Sequence, residues 1–218
     1  LRTPLTSISG NAGVLMSDGG SLTAEHRNRI YRDIYDDSMW LINLVENLLS
    51  ITRMEGQGVH LHMETELLEE VIDEAMRHIN RRHEHHTIKV NQIGDYILAD
   101  MDARLIIQVI TNLVDNAVKY TPEGSTIMVN SRQEGSSAVI DVSDNGPGIP
   151  DESKEKIFEM FYTTGHKSAD GKRGMGLGLP LCRAILSAHR GTIEVLDNKP
   201  AGSIFRLTLP AKEVSLHE

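Results

Sequence analysis

The sequence has few of the features that mark secreted, membrane-spanning or nucleic-acid-binding proteins. A single cysteine, Cys182, among 218 residues excludes an intramolecular disulfide framework. The longest apolar runs, such as residues 105–107, are much too short to cross a membrane. The 22 Lys and Arg residues are outnumbered by 31 Asp and Glu residues, and the resulting net charge of −9 disfavours nucleic-acid binding through bulk charge. We therefore expect a globular protein of a reducing compartment, with no nucleic-acid partner.

Two helices are predicted for residues 1–55. The first covers residues 1 to about 17, with Pro4 in the first turn, where its missing N–H costs little. After a break at residues 18–21, Ser21 or Thr23 can cap a second helix that extends to about Met54. The apolar residues of this helix follow coiled-coil spacing: Ile30, Ile34, Leu41, Leu44, Val45, Leu48 and Ile51. We predict a dimeric four-helix bundle, with a hairpin packed on the rest of the chain as the alternative.

Residues 56–218 are predicted to form a second domain, which a short flexible joint at residues 56–58 separates from the first. Strands are expected at 59–63, 86–90, 96–99, 126–132, 138–143, 192–196 and 203–209, and helices at 67–79, 102–120 and 177–189. Helices and hairpins mix without a strict βαβ repeat. The predicted fold class is therefore α+β: a helical hairpin followed by a two-layer sandwich, in which helices cover one face of a mixed sheet.

One helix carries a row of polar residues on a single face. Asn112 and Asn116 are four residues apart, and Lys119 follows one turn later. Carboxamides and an ammonium group in this arrangement suit a hydrated Mg²⁺ ion and the phosphates that it bridges. The same pattern is also typical of the solvated face of an ordinary amphipathic helix.

Two glycine-rich segments follow. Asp144–Pro150 comes directly after a predicted strand, where an acid can accept a hydrogen bond from an exocyclic amine such as that of adenine, although Asp-Asn-Gly is also a common turn. Gly174–Leu179 opens a helix and exposes N–H groups to an anion, but it matches neither a Rossmann fingerprint nor a P-loop. Seven of the 18 glycines lie between Gly146 and Gly178, which predicts a mobile lid over phosphates.

The order of these segments resembles that of sensor histidine kinases. Residues 112–120 resemble the N box of that family, 144–148 its G1 box, 158–161 its F box and 174–179 its G2 box. The opening residues 1–6, Leu-Arg-Thr-Pro-Leu-Thr, are similar to the end of its H box, His-Glu-Leu-Arg-Thr-Pro-Leu-Thr. The runs around residues 115–121 and 181–185 are similar to the potassium-responsive Kdp-type kinases.

The resemblance implies a dimerisation and phosphotransfer hairpin at residues 1–55 and a Bergerat-type ATP-binding domain at 56–218. It implies Mg²⁺ and ATP as cofactors, with Asn116 as the metal ligand, Asn112 supporting it and Lys119 reaching a phosphate. Asp144 would read the adenine amine, and Phe158 and Phe161 would anchor the lid. The remaining residues implied in nucleotide binding are Tyr120, Gly146, Gly148, Ile149, Lys172, Arg173, Gly174, Met175, Gly176, Leu177 and Gly178.

The family pattern places the phosphoacceptor histidine two residues before Leu1. None of the ten histidines in the chain lies at that place, so we expect a fragment that does not autophosphorylate by itself. The expected parent protein is anchored in the cell membrane with its kinase portion in the cytoplasm, and its partner is the receiver domain of a response regulator. Thr3 would position water for dephosphorylation of that regulator.

Two other functions remain open at this stage. Other Bergerat ATPases, as in gyrase, HSP90 or MutL, use a Glu one turn before the magnesium Asn to activate water, whereas this chain has Asn112 there. A non-catalytic module that senses nucleotide and docks a regulator is the second alternative.

Cys182 is expected to be a buried, inert thiol, and the histidines at 78, 83, 85 and 86 are interpreted as part of a solvated loop because their spacing does not suit a metal.

Overall fold

A computed structural model describes residues 2–17, 20–55, 61–79, 85–94, 96–164 and 176–212 of the chain. The chain divides into two compact units, Leu1–Ser50 and Ile51–Glu218. The domain boundary predicted at residues 56–58 lies outside the described residues. In the described ranges, no helix combines the length and apolarity that a membrane span needs.

The first unit contains the first predicted helix and most of the second. Helix α1 covers Arg2–Ser17, and α2 covers Ala24–Glu55. Of the two candidate caps, Thr23 takes the role, because its Oγ1 accepts the backbone N–H of His26 at 3.2 Å. Helix α2 leaves a line of large apolar side chains exposed along its length: Tyr31, Tyr35, Ile42, Val45 and Leu49.

The second unit alternates strands and helices. Its elements are β1 (Glu64–Leu67), α3 (Leu68–Ile79), β2 (Thr87–Ile93), β3 (Leu98–Met101), α4 (Ala103–Tyr120), β4 (Thr126–Glu134), β5 (Ser137–Asp144), α5 (Asp151–Lys154), α6 (Gly178–Ala188), β6 (Thr192–Asp197) and β7 (Ser203–Lys212). The strands form one mixed sheet in the order β1-β3-β7-β5-β4-β2, with β6 also paired to β7. The β2–β4 pair is parallel and the other pairs are antiparallel. This architecture confirms the predicted fold class.

The strand predicted at residues 59–63 was wrong, and two other strand predictions were wrong at their ends. Residues 61–63 are not in a strand, and β1 begins only at Glu64, where pairing with Met101 of β3 begins. Strand β3 starts at Leu98 rather than residue 96, and β2 continues to Ile93 because β4 offers a partner as far as Arg132. Side-chain alternation does not reveal where the partner strand ends, and the partner fixes the length of a strand.

The core lies between one face of the sheet and helices α3, α4 and α6. Helix α4 contributes Ile106, Val109, Ile110, Leu113 and Val114, each fully buried. These positions follow the predicted apolar face, except that Leu105 is half-buried and Val114 joins the core. Each such side chain contributes about 1.5–3 kcal/mol of burial free energy, which holds α4 firmly against the sheet.

The opposite face of the sheet carries a charged group at its centre. Asp141 of β5 accepts two hydrogen bonds from Arg206 of β7, at 2.8 and 2.9 Å, and one from Arg132 of β4 at 2.7 Å. Burial would raise the pKa of Asp141, but the hydrogen bonds from Arg206 and Arg132 outweigh it and lower that pKa. A carboxylate between two guanidinium groups therefore ties three neighbouring strands together.

Candidate nucleotide-binding site

The second half of α4 positions the predicted cation and phosphate ligands. Asn116 and Lys119 lie on the last turns of the helix, and the Lys119 Nζ atom is 5.3 Å from the centre of the Tyr120 ring. Burial raises the pKa of Tyr120, so its hydroxyl group remains neutral at physiological pH. The helix thus presents a carboxamide, an ammonium group and an exposed phenol in its last turns.

Helix α6 brings its first residue to Asn116. A Cβ atom on Gly178 would lie 4.0 Å from the Asn116 Nδ2 atom. Leu177 precedes the helix and has no side chain that caps it, so the first N–H groups of α6 have no side-chain acceptor from that residue. A helix start favours an anion, so the start of α6 beside the Asn116 amide is a candidate site for a phosphate.

Asp144 lies at the end of β5 and is only 7% exposed. Its Oδ1 atom accepts the backbone N–H groups of Gly146, at 2.8 Å, and of Ser203, at 3.3 Å. Burial raises the pKa of Asp144, although these two hydrogen bonds act in the opposite direction. No described residue donates to the second oxygen, Oδ2. The site therefore contains one fixed and one available acceptor, which suits a ligand amine.

The turn after Asp144 packs directly against the end of α4. A Cβ atom on Gly146 would lie 2.7 Å from the Thr121 Cγ2 atom, so a side chain there would displace Thr121. Gly148 has a φ of +78° and passes close to the backbone of Gly202. The end of α4 and the glycine-rich segment Asp144–Pro150 are therefore neighbours in the fold. Ile149, in that segment, is half-buried.

Phe158 and Phe161 play different structural roles. The Phe158 ring is buried beneath the Arg183 guanidinium of α6, whose Cζ atom is 4.2 Å from the ring centre. The Phe161 ring is 60% exposed, but its backbone N–H donates to the carbonyl oxygen of Gly176 at 2.8 Å. The structure therefore holds Phe158 by its ring and Phe161 by its backbone.

The remaining predicted site residues fall into three groups. Leu177 is fully buried, so its side chain belongs to the core and only its backbone can face a nucleotide. Thr3 is exposed on α1, in the first unit. Four lie outside the described residues: Lys172, Arg173, Gly174 and Met175.

The sequence did not indicate which residues support Asn112 and Asp144. The Asn112 amide donates to the Cys182 Sγ atom of α6 at 3.9 Å, and the thiol is completely buried. The expected burial of Cys182 is confirmed, and burial raises the pKa of its thiol to about 12. Asn198, in the connection between β6 and β7, donates to the carbonyl oxygen of Asp144 at 2.7 Å. These contacts join residues 54 to 70 positions apart, so local sequence spacing gives no signal for them.

A cavity of about 270 Å³ lies along the exposed side of α4. Its lining includes Arg104, Gln108, Asn112 and Asp115 of α4 and His78 of α3. Of the predicted site residues it shares only Asn112, so it is a neighbour of the site and not the site itself.

Two family models match the chain. Residues 101–213 match the family described as histidine kinase-, DNA gyrase B-, and HSP90-like ATPase. Residues 1–57 match the His Kinase A (phospho-acceptor) domain. The sensor protein KdpD of Clostridium acetobutylicum is 39% identical over 210 residues, which are 96% of this chain and 23% of that protein. The chain thus spans less than a quarter of the length of that relative.

Solved structures agree with these matches. The histidine kinase AdeS of Acinetobacter baumannii aligns over 98% of both chains with a TM-score of 0.78 and 24% identity, which shows a common fold. The histidine kinase ThkA, solved in complex with the response regulator protein TrrA, aligns over 97% of this chain and 58% of that chain, with a TM-score of 0.75 and 26% identity. The ATPase match covers more than half of the chain and includes every described group around Asn116 and Asp144. The chain belongs to the histidine kinase-, DNA gyrase B-, and HSP90-like ATPase family, and its first 57 residues match the phospho-acceptor domain of histidine kinases.

Proposed function

We propose that the chain binds Mg²⁺-ATP between the end of α4 and the start of α6 and catalyses phosphoryl transfer to a histidine. The observation that carries this proposal is the proximity of three separate segments: the end of α4, the start of α6 and the turn after β5. Asn116 lies opposite Gly178, and Gly146 packs on Thr121 just beyond α4. A cation ligand, an anion-binding helix start and an amine acceptor therefore occur together, which is the set that Mg²⁺-ATP requires.

Each chemical group of Mg²⁺-ATP would contact a different residue. The available Oδ2 atom of Asp144 would accept the adenine amine, and Asn116 would ligate the metal through its carboxamide oxygen. Lys119 would contact a phosphate from the same helix face. The bound Mg²⁺ ion would neutralise charge on the phosphates. The first N–H groups of α6 would hold the transferring group in place.

The identity of residue 112 favours transfer to a protein over hydrolysis. A carboxamide does not take up a proton at neutral pH, and the Asn112 amide is already directed at Cys182. The chain therefore lacks a general base at the position where hydrolytic relatives carry Glu. We propose that the acceptor is a neutral imidazole, which needs no Glu at position 112. One ring nitrogen attacks the γ-phosphorus, the bond from that phosphorus to the β,γ-bridging oxygen breaks and ADP leaves, and the other ring nitrogen releases its proton to solvent.

We also propose the two groups that receive the phosphoryl group in turn. The opening residues match the end of an H box, which would place the acceptor histidine two residues before Leu1. The ThkA–TrrA complex supports a response regulator as the protein that next receives the phosphoryl group. Thr3, exposed on α1, would assist dephosphorylation of that regulator. Replacing Thr3 by Ala in the full-length protein should lower phosphatase activity while autokinase activity is kept, and equal loss of both would exclude the role.

Self-association is proposed for residues 1–55. Tyr35, Ile42 and Leu49 of α2 recur every seven residues and are all exposed in the single chain. A heptad line of this kind is buried when two copies form a four-helix bundle. We further propose that the chain acts in the cytoplasm as part of a membrane-anchored parent, and that it belongs to the Kdp-type subgroup, which the identity to KdpD supports.

The test uses a version of the chain that carries His-Glu ahead of Leu1. Incubated with Mg²⁺ and γ-labelled ATP, it should acquire label that is stable to base and labile to acid. The matched control with Ala in place of the added His should remain unlabelled. ATP hydrolysis without labelling of the protein would favour another ATPase of this family. Nucleotide binding without either reaction would favour a nucleotide-sensing docking module.

A further inference from the structure

His189 is a buried histidine that the proposed phosphoryl transfer does not use. It directly follows α6 and is 2% exposed. Its Nδ1 atom lies 2.7 Å from the carbonyl oxygen of Ile185, within the last turn of α6. Its Nε2 atom lies 3.0 Å from the backbone nitrogen of Asp102, at the start of α4. The imidazole therefore bridges the end of one site helix and the beginning of the other.

The two partners fix the protonation state of this ring. A carbonyl oxygen only accepts, so the Nδ1 atom must carry a hydrogen that it donates to Ile185. A backbone N–H only donates, so the Nε2 atom must be unprotonated in order to accept from Asp102. The two hydrogen bonds together thus require a neutral imidazole in a single tautomer.

Asp102 is itself firmly held. It is 5% exposed and occupies the N-cap position of α4. Its Oδ2 atom accepts the backbone N–H of His62 at 3.1 Å, and its carbonyl oxygen accepts the N–H groups of Leu105 and Ile106. A displacement of Asp102 would therefore move the first turn of α4 with it.

The bridge lies at the opposite end of α4 from the nucleotide site. Asn116 is 14 residues beyond Asp102, or about 21 Å along the helix at 1.5 Å per residue. Over that length, a tilt of only ~3° at the bridge displaces Asn116 by about 1 Å relative to the start of α6. Misplacement of this size at a reacting centre costs on the order of a hundredfold in rate.

We propose that His189 is a positioning residue for this site. Its unprotonated Nε2 atom accepts the Asp102 N–H and so sets α4 against α6, which places Asn116 opposite the first N–H groups of α6. The role rests on the proposed function, because it concerns the placement of the Mg²⁺-ATP ligands.

Two substitutions separate the two hydrogen bonds. In His189→Gln, the side-chain oxygen replaces the Nε2 acceptor and keeps the Asp102 bond, whereas the bond to Ile185 is lost. In His189→Asn, the side-chain amide replaces the Nδ1 donor and keeps the Ile185 bond, whereas the bond to Asp102 is lost. Each variant loses one hydrogen bond from a buried residue, so their melting temperatures should fall by similar amounts.

The readout is calorimetric titration of the whole chain with a non-hydrolysable ATP analogue and Mg²⁺. His189→Gln should bind within about threefold of the wild-type Kd, and His189→Asn at least tenfold more weakly. Equal affinities, or losses that only follow the melting temperatures, would overturn the positioning role. Failure of the wild-type chain to bind would instead contradict the proposed function, so the two failures are distinguishable.

A second measurement does not depend on the variants folding. Long-range ¹⁵N–¹H spectra of the wild-type chain report the protonation of each imidazole nitrogen, and the His189 signal is assigned by connecting the ring to the assigned backbone of the wild-type chain. We expect a protonated Nδ1 atom and an unprotonated Nε2 atom at pH 7. The other tautomer, or a doubly protonated ring, would exclude the Asp102 bond and overturn the inference.

Discussion

The backbone N–H of Phe161 donates to the carbonyl oxygen of Gly176 at 2.8 Å, and both residues have positive φ angles, 65° and 64°. A Cβ atom on Gly176 would lie 2.6 Å from the Tyr162 carbonyl oxygen and 2.7 Å from the Phe161 carbonyl carbon. The two ends of the segment between these residues are therefore held backbone to backbone. Only glycine fits at position 176, because both the space and the φ angle exclude a side chain.

Gly176→Ala should destabilise the second unit and weaken ATP binding. The added methyl group meets backbone atoms that have no room to move, and the φ angle of +64° is strained for alanine, so we expect a loss of about 2 kcal/mol or more. Gly178→Ala is the matched control, because a Cβ atom there meets only the Asn116 amide at 4.0 Å. Urea unfolding should show a clear loss for the first variant and little change for the second. Equal stability of the two variants would contradict this account of position 176.

Asp144→Asn should separate nucleotide recognition from folding. The Asn Oδ1 atom can still accept the N–H groups of Gly146 and Ser203, but an NH₂ group replaces the Oδ2 acceptor. We expect ATP binding to weaken at least tenfold, or about 1.4 kcal/mol, with titration calorimetry as the measurement. A variant that binds ATP as tightly as the wild type would exclude Asp144 as the adenine acceptor.

The same substitution should not lower the stability of the nucleotide-free chain. Burial raises the folded-state pKa of Asp144, so its contribution to stability is lost as the pH rises from the unfolded pKa through the folded pKa. At pH 7 the ionised carboxylate therefore opposes folding, and the neutral amide removes this effect. Thermal unfolding at pH 7 should give a melting temperature for Asp144→Asn no lower than that of the wild type.

The carboxylate at the centre of the opposite sheet face should contribute to stability. Asp141→Asn removes a charge that two guanidinium groups contact, and we expect a loss of about 1–3 kcal/mol at pH 7. The folded-state pKa of Asp141 is lowered, so this stability is present above the unfolded pKa of about 3.9 and disappears as the pH falls through the folded pKa. Urea unfolding of variant and wild type should therefore converge in acid.

Asp151→Asn is the control for that experiment. Asp151 pairs with Lys154 on the surface at 2.6 Å, where ion pairs contribute little. Its unfolding curve at pH 7 should coincide with that of the wild type. A loss as large as that of Asp141→Asn would show that the effect reflects overall charge and not the three-strand contact.

Cys182 should act as an internal reporter of unfolding. The thiol is completely buried, and burial raises its pKa to about 12, so almost no thiolate exists in the folded chain at pH 7. Iodoacetamide should label the folded chain far more slowly than the chain in urea, with mass spectrometry as the measurement. Rapid labelling without urea would show that α6 separates from α4 under native conditions.

Much of the fold was predictable because its signals are local. The apolar period of α4 and the turn between β4 and β5 each appear within about 20 residues of sequence, and both elements were confirmed. The position of β1 and the ends of β3 were not predictable, since each depends on a partner strand elsewhere in the chain. The cap of α2 could be narrowed to Ser21 or Thr23. The sequence did not decide between them, because both side chains are suitable hydrogen-bond acceptors, and the structure shows that Thr23 is the cap.

The sequence indicated which residues belong to the candidate site, but not which contacts hold those residues in place. The amide and glycine segments indicated cation, amine and anion sites, and the fold brings Asn116 to Gly178 and Gly146 to Thr121. The sequence did not indicate that Asn112 reaches Cys182 or that His189 bridges α4 and α6. Such contacts depend on the packing of whole helices, which no spacing within one segment encodes.

The most direct test of the central claim is calorimetric titration of this chain with a non-hydrolysable ATP analogue, with and without Mg²⁺. The wild-type chain should bind in a Mg²⁺-dependent manner, and Asn116→Ala should bind at least tenfold more weakly and lose that dependence. Asn130→Ala, which removes a similar amide from β4, should bind like the wild type. Absence of binding by the wild type, or binding that neither Mg²⁺ nor Asn116 affects, would contradict the proposed Mg²⁺-ATP site.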